Sequence, residues 1–506
     1  MRFRRNFTAI VLAWTYGFAQ INQAQTSPSN AAVPGDVQAS LNSIRPAPLR
    51  GDLSFIASDE LEGRDSPSRG LDVAADYIAA QFRRAGLEPG VGDSYFQKAS
   101  MMVEEPDFSH FELKLSSSGH QFTASPKEAT FSLASELNLK DASLFKLDLA
   151  DEGLMQHLTA SQVEGKVVIT EIGPKYRGRL RQASQLMRAA KPALVIRVDE
   201  KGVTIRGERP RALVDPTEPG AGHGSPRVTL TGEAAARFYA VLPPGAGNAT
   251  ASVHIAAPHR APAILRNVIG VLHGSDPALR DTCVLLTAHY DHLGVRPDGS
   301  GDRIYNGAND DGSGTVSVME IARTLARLPQ HPKRSIVFMT FFGEEAGLIG
   351  SEYYVHHPVW PLNKSVADLN LEQVGRTDST DGPQISNATL TGFDYSDLTS
   401  YVERAGERTG IKIYENRKDS DAYFSASDNL SFAEAGIPAE TLTVAFDFPD
   451  YHGVGDEWQK IDYNNMAKVD RAVALAIFLM ANSEQRVRWN ESNPKTAPYV
   501  RAAQHP

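Results

Sequence analysis

Two carboxylates stand side by side in "FFGEEAGLIGS", Glu344 and Glu345, directly after one of the most apolar runs in the chain. Like charges that close repel, so such a pair either parts into solvent or is held by something positive. Three further apolar runs end in the same way. "TCVLLTA" leads into His289, Asp291 and His292, "VADLNLEQVG" carries Glu372, and "IPAETLTVA" is followed by a loop holding Tyr451 and His452. A fifth stretch, "YNGANDDGSG", sets Asp310 and Asp311 in a Gly-rich turn ahead of a helix. Helix capping accounts for one of these two acids, not both. Imidazole and carboxylate donors at this density suit zinc, which in catalytic sites keeps a position open for water. They outnumber the ligands of a single catalytic zinc, whereas two ions about 3.5 to 4 Å apart, sharing a carboxylate and a water, use them all. Taken singly, each of these residues has a bland explanation as a solvated charge or a satisfied loop histidine. The joint pattern does not. His356 and His357 sit beside Pro358 in what reads as an exposed turn and are left outside the constellation.

Delivering these side chains to one place requires a particular architecture. Strands that are apolar throughout, alternating with helices, indicate an α/β sandwich whose sheet is covered on both faces, and in such sheets the strand C-termini form the functional crevice. "RNVIGVL", "TCVLLTA", "SIVFMTFF", "VADLNLEQV" and "IPAETLTVA" read as the strands. Gly314 to Leu328 reads as a helix, with Val318, Ile321, Ala322, Leu325 and Leu328 on one face. An earlier helix places Leu71, Ala74, Ala75, Ile78 and Phe82 on one stripe and stops at Gly86 and Pro89. Between residues 135 and 257 the character changes to a compact module, with "GKVVITEIG" and "PALVIRV" as strands around the helix "RLRQASQLMRAA", and the loop "DPTEPGAGHGSP" after them. It reads as an insertion, so the larger domain comprises 46–134 and 258–485, and 486–506 is a tail.

Composition narrows the partners. A chain of 506 residues, 41% hydrophobic and 22% charged, has the make-up of a globular protein of two or three units. A net charge of −10, with 51 basic residues spread along the chain, offers no basic stripe for nucleic acid. Arg2, Arg4 and Arg5 precede "FTAIVLAWTYGFA" and the small residue Ala24, which reads as a signal peptide over 1–25 followed by a linker over 26–45. Export to a secreted or periplasmic location, with no membrane contact after cleavage, is the expectation. The single cysteine, Cys283, lies in an apolar strand and is expected to serve packing.

"AHYDH", "GANDDGSG", "GEEAGLIGS", "LNLEQVGR" and "YHGVGDE", in this order, resemble the motif set of the co-catalytic zinc aminopeptidases, whose relatives include glutamate carboxypeptidase, glutaminyl cyclase and the transferrin receptor. "FIASDELEGRDSPSRG" and "VEGKVVITEIGP" resemble members that carry an inserted, β-rich protease-associated domain. The resemblance implies a three-layer α/β/α sandwich with a mixed, largely parallel central sheet, binding two Zn²⁺ per chain and acting on peptides. It implies Asp310 as the bridging ligand, His289 and Glu372 on one ion, and Glu345 and His452 on the other. Glu344 corresponds to the general base, Asp291 to the carboxylate that orients the ligand histidine, and Tyr451 to an oxyanion-stabilising tyrosine. Asp311 corresponds to the residue joined to the bridging ligand by a cis peptide, and Glu372 stands where many members carry Asp. Other chemistries stay open on this scaffold. A carboxypeptidase needs a basic pocket, for which Arg376, Arg404 and Arg417 are available. A glutaminyl cyclase needs one zinc, and a receptor-like binding domain predicts broken ligand positions, which are absent here.

Overall fold

The computed structural model describes residues 33–504, apart from 201–210, 218–224, 297–299, 381 and several positions between 174 and 189. The expected signal peptide lies outside the described residues, as do parts of the expected 179–190 helix and 215–226 loop.

A ten-stranded mixed sheet forms the centre of the larger unit. Its middle strands are Ala439–Thr443, Ser365–Leu371, Cys283–His289 and Ser335–Phe341, adjacent in that order and mutually parallel. His259–Leu272 continues the sheet antiparallel to Ser335–Phe341 and pairs in turn with Phe96–Glu105. Every residue of Cys283–His289, Ser335–Phe341 and Ser365–Leu371 is buried. The alternation of a strand explains how an unbroken apolar run serves two layers. Val284, Leu286, Ile336 and Phe338 face one core, with Phe82 of the helix Arg69–Ala85, Ile321 of Gly314–Ala326 and Val473 of Tyr463–Asn482. Cys283, Leu285, Val337 and Met339 face the other, with Tyr354, Phe432 and Trp489. This is the expected three-layer α/β/α sandwich. Cys283 is fully buried, and burial pushes its thiol up to about 12, in keeping with a packing role.

A second sheet has eight strands and its own core. Four adjacent strands, Leu137–Lys146, Val167–Glu171, Leu194–Asp199 and Arg227–Thr231, are parallel. It starts earlier than the expected boundary at 135. Glu112–Ser117, His120–Thr123 and Ala129–Ser132 all belong to it. Leu113, Leu115, Phe122 and Phe131 alternate with polar residues and pack on Ile169, Ile196 and Val228 rather than on the larger unit. In the reverse sense, Ala212–Val214 crosses to the first sheet and pairs with Met102–Glu104, and Leu213 packs into the larger core.

Both chain ends depart from the expected linker and tail. Gly35–Leu41 is a helix, and Val37, Leu41 and Ile44 are buried against the main core. In 486–506, the indole of Trp489 is buried, donates to the Gly436 carbonyl at 3.0 Å and stacks on Tyr499 of the helix Ala497–Gln504. Apolar side chains at these positions bury area that a free tail would leave in water.

Candidate metal centre

The C-terminal ends of the parallel strands converge as their sequence predicts. His289 is the last residue of its strand, and its carbonyl accepts from Thr315 Oγ1 at 2.6 Å, tying it to the helix behind. Glu344 and Glu345 follow Ser335–Phe341 through Gly343, whose φ of 68° makes the turn. Glu372 follows Ser365–Leu371, and the Glu372 N–H donates to the Leu442 carbonyl at 3.1 Å, linking it to the strand that leads to Tyr451 and His452. Asp310 and Asp311 sit in the turn ahead of Gly314–Ala326, joined by the expected cis peptide.

Asp310 lies between two histidines. Its Oδ1 is 3.4 Å from His289 Nε2 and its Oδ2 is 3.2 Å from His452 Nε2, while His452 Nε2 is also 3.3 Å from Glu345 Oε2. Donor atoms bound to one tetrahedral zinc at about 2.0 to 2.1 Å lie roughly 3.3 Å from one another. All three separations match that value, so the residues fit zinc on each side of Asp310. Ligand atoms of His289, Glu344 and Glu372 lie within 4.8 Å of each other, and so do those of His292, Asp310 and Glu345. Every residue expected to hold metal is therefore in the cluster, together with His292, to which no role had been given.

Electrostatics separate the two neighbouring glutamates. Burial works to raise Glu345, but His452 and His292 hold its carboxyl well below the usual range. Burial raises Glu344 well above the usual range, and Glu372 and Glu345 push it further while His289 opposes them. Burial likewise lifts Glu372 to about 7. Against the pull of burial, Glu344, Asp291 and Asp310 keep His289 well above its usual value, and Glu345 and Asp310 do the same for His452. Negative charge thus exceeds what the imidazoles alone neutralise, which is the condition a divalent cation relieves.

Asp291 lies against both His289 and Glu344. His289 Nδ1 is 3.2 Å from the Asp291 carbonyl and 3.5 Å from its Oδ1, and that Oδ1 accepts from the Glu344 N–H at 3.1 Å. Ser66 donates to Asp291 Oδ2 at 3.3 Å and accepts from the Gly343 N–H at 3.1 Å. Tyr451 stacks on the His452 ring at 4.0 Å. Burial, then the carboxylates of Asp310, Glu345 and Glu372, keep its phenol protonated well above its usual range. His356 and His357 are outside the cluster.

Several supporting residues carried too weak a signal in the sequence. Asp456 accepts the backbone N–H groups of Asn309 and Asp310, each at 3.0 Å, and fixes the turn that presents Asp310. Asn309 Oδ1 accepts from the N–H groups of Gly375 and Arg376 at 2.9 Å, joining that turn to the Glu372 loop. Arg64 is fully buried and donates to the carbonyls of Tyr290, Ile56, Asn306 and Gly307 at 2.6 to 2.9 Å. Burial lowers it to about 10, opposed by Asp291, Asp456, Asp310 and Asp311. Asp456 was visible inside "YHGVGDE" and Arg64 inside "ELEGRDS", but nothing local distinguishes a buried charge from a solvated one.

The fold and the clustered donors define a zinc-exopeptidase-type α/β/α domain. Residues 267–477 match the model of Peptidase family M28. Among curated proteins it is similar to the aminopeptidase YwaD of Bacillus subtilis, 29% identical over 231 residues, 44% of this chain and 46% of that protein. It is also similar to the probable glutamate carboxypeptidase VP8 of Zea mays, 30% identical over 212 residues, 38% of this chain and 26% of that one. The alignment thus spans less than half the length of these relatives. Among solved structures, an aminopeptidase from Aneurinibacillus sp. strain AM-1 matches over 90% of this chain and 97% of its own at TM-score 0.55 and 20% identity. BSAP, a zinc aminopeptidase from Bacillus subtilis, gives the same coverage at TM-score 0.53 and 20% identity. At that identity the likeness concerns the fold.

Proposed function

We propose that this chain is an exported aminopeptidase that binds two zinc ions and removes N-terminal residues from peptides. The observation that carries the reading is the geometry about Asp310, whose two oxygens each face a histidine at zinc-ligand separation. In this reading Asp310 would be shared between the two ions, His289 and Glu372 would hold one, and Glu345 and His452 would hold the other. Zinc bound there supplies Lewis acidity towards a peptide carbonyl and acidifies water. Glu344, anchored through its own N–H to Asp291 and not needed as a ligand, takes a proton from the attacking water and delivers it to the departing amine. Its raised affinity for a proton suits that task. Asp291 keeps His289 oriented, and the phenol of Tyr451, which stays protonated in its buried setting, donates to the developing oxyanion.

Export is supported by the Arg-flanked apolar segment at the N-terminus, and no helix among the described residues is long and apolar enough to cross a membrane. The second sheet is the proposed protease-associated module.

The carboxypeptidase reading has relatives in its favour, but the arginines expected to serve it are engaged elsewhere. Arg376 commits Nε and Nη2 to Asp378 at 2.8 and 2.6 Å, and Nη2 also to Asp450 at 2.9 Å. Arg404 is half-buried and packs over the buried Tyr401, and Arg417 is exposed beside Glu415. A free α-amine, by contrast, finds the negative charge of Glu344 and Glu372. Replacing it with an uncharged amide leaves that charge unpaired, and rejection by roughly 10⁴ or more is expected. Mass spectrometry of digests decides between the two: acetylating the N-terminus of a good peptide should abolish hydrolysis, whereas amidating the C-terminus should change little. Loss of residues from the C-terminus of the acetylated peptide overturns the assignment.

A further inference from the structure

His292 is the one histidine of the cluster without a place in the two-ion scheme, and its surroundings are as constrained as those of any ligand. It is fully buried, its N–H donates to the Arg64 carbonyl at 3.2 Å, and its ring meets that of His452 edge-on at 5.9 Å. Its face lies against Gly307, where φ is +58° and an added Cβ would stand 2.5 Å from ring atoms Cγ and Cδ2. The glycine of "NGANDD" is therefore the residue that gives this imidazole room, and the same turn presents Asp310.

The two oxygens of Glu345 face different partners. Oε2 faces His452 Nε2 at 3.3 Å, the separation of two atoms sharing a zinc, whereas Oε1 lies 2.6 Å from His292 Nδ1. Two zinc ligands only that far apart would subtend about 80° at the ion, well short of the tetrahedral angle. The same distance suits direct side-chain contact between an imidazole and a carboxylate oxygen. We propose that His292 is a positioning residue: its Nδ1 lies against Oε1 of Glu345, fixes the carboxylate's rotation and leaves Oε2 as the oxygen that would serve the ion held with His452 and Asp310. Resting on the two-zinc reading, the proposal assigns His292 to one ion only, because the carboxylate it contacts, Glu345, lies on the His452 side of Asp310. Carboxylate ligands are commonly held by such outer contacts, and their loss typically weakens metal binding by about 10- to 100-fold.

The test is a zinc titration of the purified full chain against a competing chelator, with metal content measured on the same samples. His292→Leu should weaken one zinc by about 10- to 100-fold and leave the other at its original affinity. His292→Asn, which places an amide N–H near the position of Nδ1, should recover most of the loss. The same two variants loaded with cobalt(II) should retain the visible bands of the unmutated protein's coordination, since no ligand has been removed. Thermal melts identify any variant that fails to fold, in which case the Asn variant alone carries the test. If His292→Asn loses the ion as completely as His292→Leu, or its cobalt spectrum shows a lost nitrogen ligand, His292 is a ligand and the proposal is overturned. If His292→Leu binds both ions unchanged, it is overturned as well. An unmutated protein that holds a single zinc sinks the two-ion reading itself, a result distinct from either of these.

Discussion

Replacing Glu344 by Gln separates chemistry from metal binding in this site. The side chain is isosteric, and the Glu344 backbone N–H that anchors to Asp291 is untouched, so the loop keeps its place. What disappears is the proton acceptor, and general acid–base catalysis typically contributes about 10² to 10⁴ in rate, or roughly 3 to 5 kcal/mol of barrier. The charge disappears too, and the structure assigns the sign of that effect. Burial and the carboxylates of Glu372 and Glu345 raise the Glu344 carboxyl well above its unfolded value. A group raised in this way supports the fold while protonated, and that support is lost as pH rises through its folded value. In the metal-free protein above that pH, Glu344→Gln should therefore melt no lower than the unmutated chain. Three measurements follow on one preparation: kcat on an aminoacyl chromogenic substrate, zinc content, and the melting temperature after chelation. The expected result is a kcat lower by about 10² to 10⁴, with zinc retained and the melt undiminished. A variant with near-normal kcat refutes Glu344 as the base, and one that loses a zinc identifies it as a ligand beside His289 and Glu372.

Asp310→Ala should disturb metal more than any other single ligand change, since Asp310 alone faces both His289 and His452; metal analysis finding two tightly held zinc ions in that variant would rule it out as the bridge. Away from the site, Asp470 is fully buried and burial lifts it to about 8, opposed by the hydrogen bond from Ser317 and reinforced by Glu320. Its protonated form is favoured in the native state, so stability declines from the unfolded carboxylate range up to about pH 8; Asp470→Asn should raise the melting temperature more at pH 8 than at pH 5, and melts showing an equal change at both would contradict the shift.

The sequence by itself determined the sandwich and most of the metal cluster, because both are written in local patterns. An apolar run ending in a His or carboxylate carries its own strand and its own donor, and parallel strands covered on both faces must bring those ends to one edge. The helices Arg69–Ala85 and Gly314–Ala326 were legible for the same reason, from a repeat within their own residues. Pairing across long separations was not legible. Nothing near Ala212–Val214 indicates that these three residues leave the second sheet to pair with Met102–Glu104, and nothing near Trp489 says that its indole reaches Gly436. The hairpin Glu112–Thr123 alternates visibly, but alternation shows a strand without saying which sheet it joins. Buried charge is the other blind spot. Arg64 and Asp456 have the composition of surface loops, and only the folded chain supplies the carbonyls and N–H groups that let each be buried. His292 belongs with them: the sequence delivers it to the cluster, but only the 2.6 Å approach to Glu345, set against separations of 3.2 to 3.4 Å elsewhere, distinguishes an outer contact from a ligand.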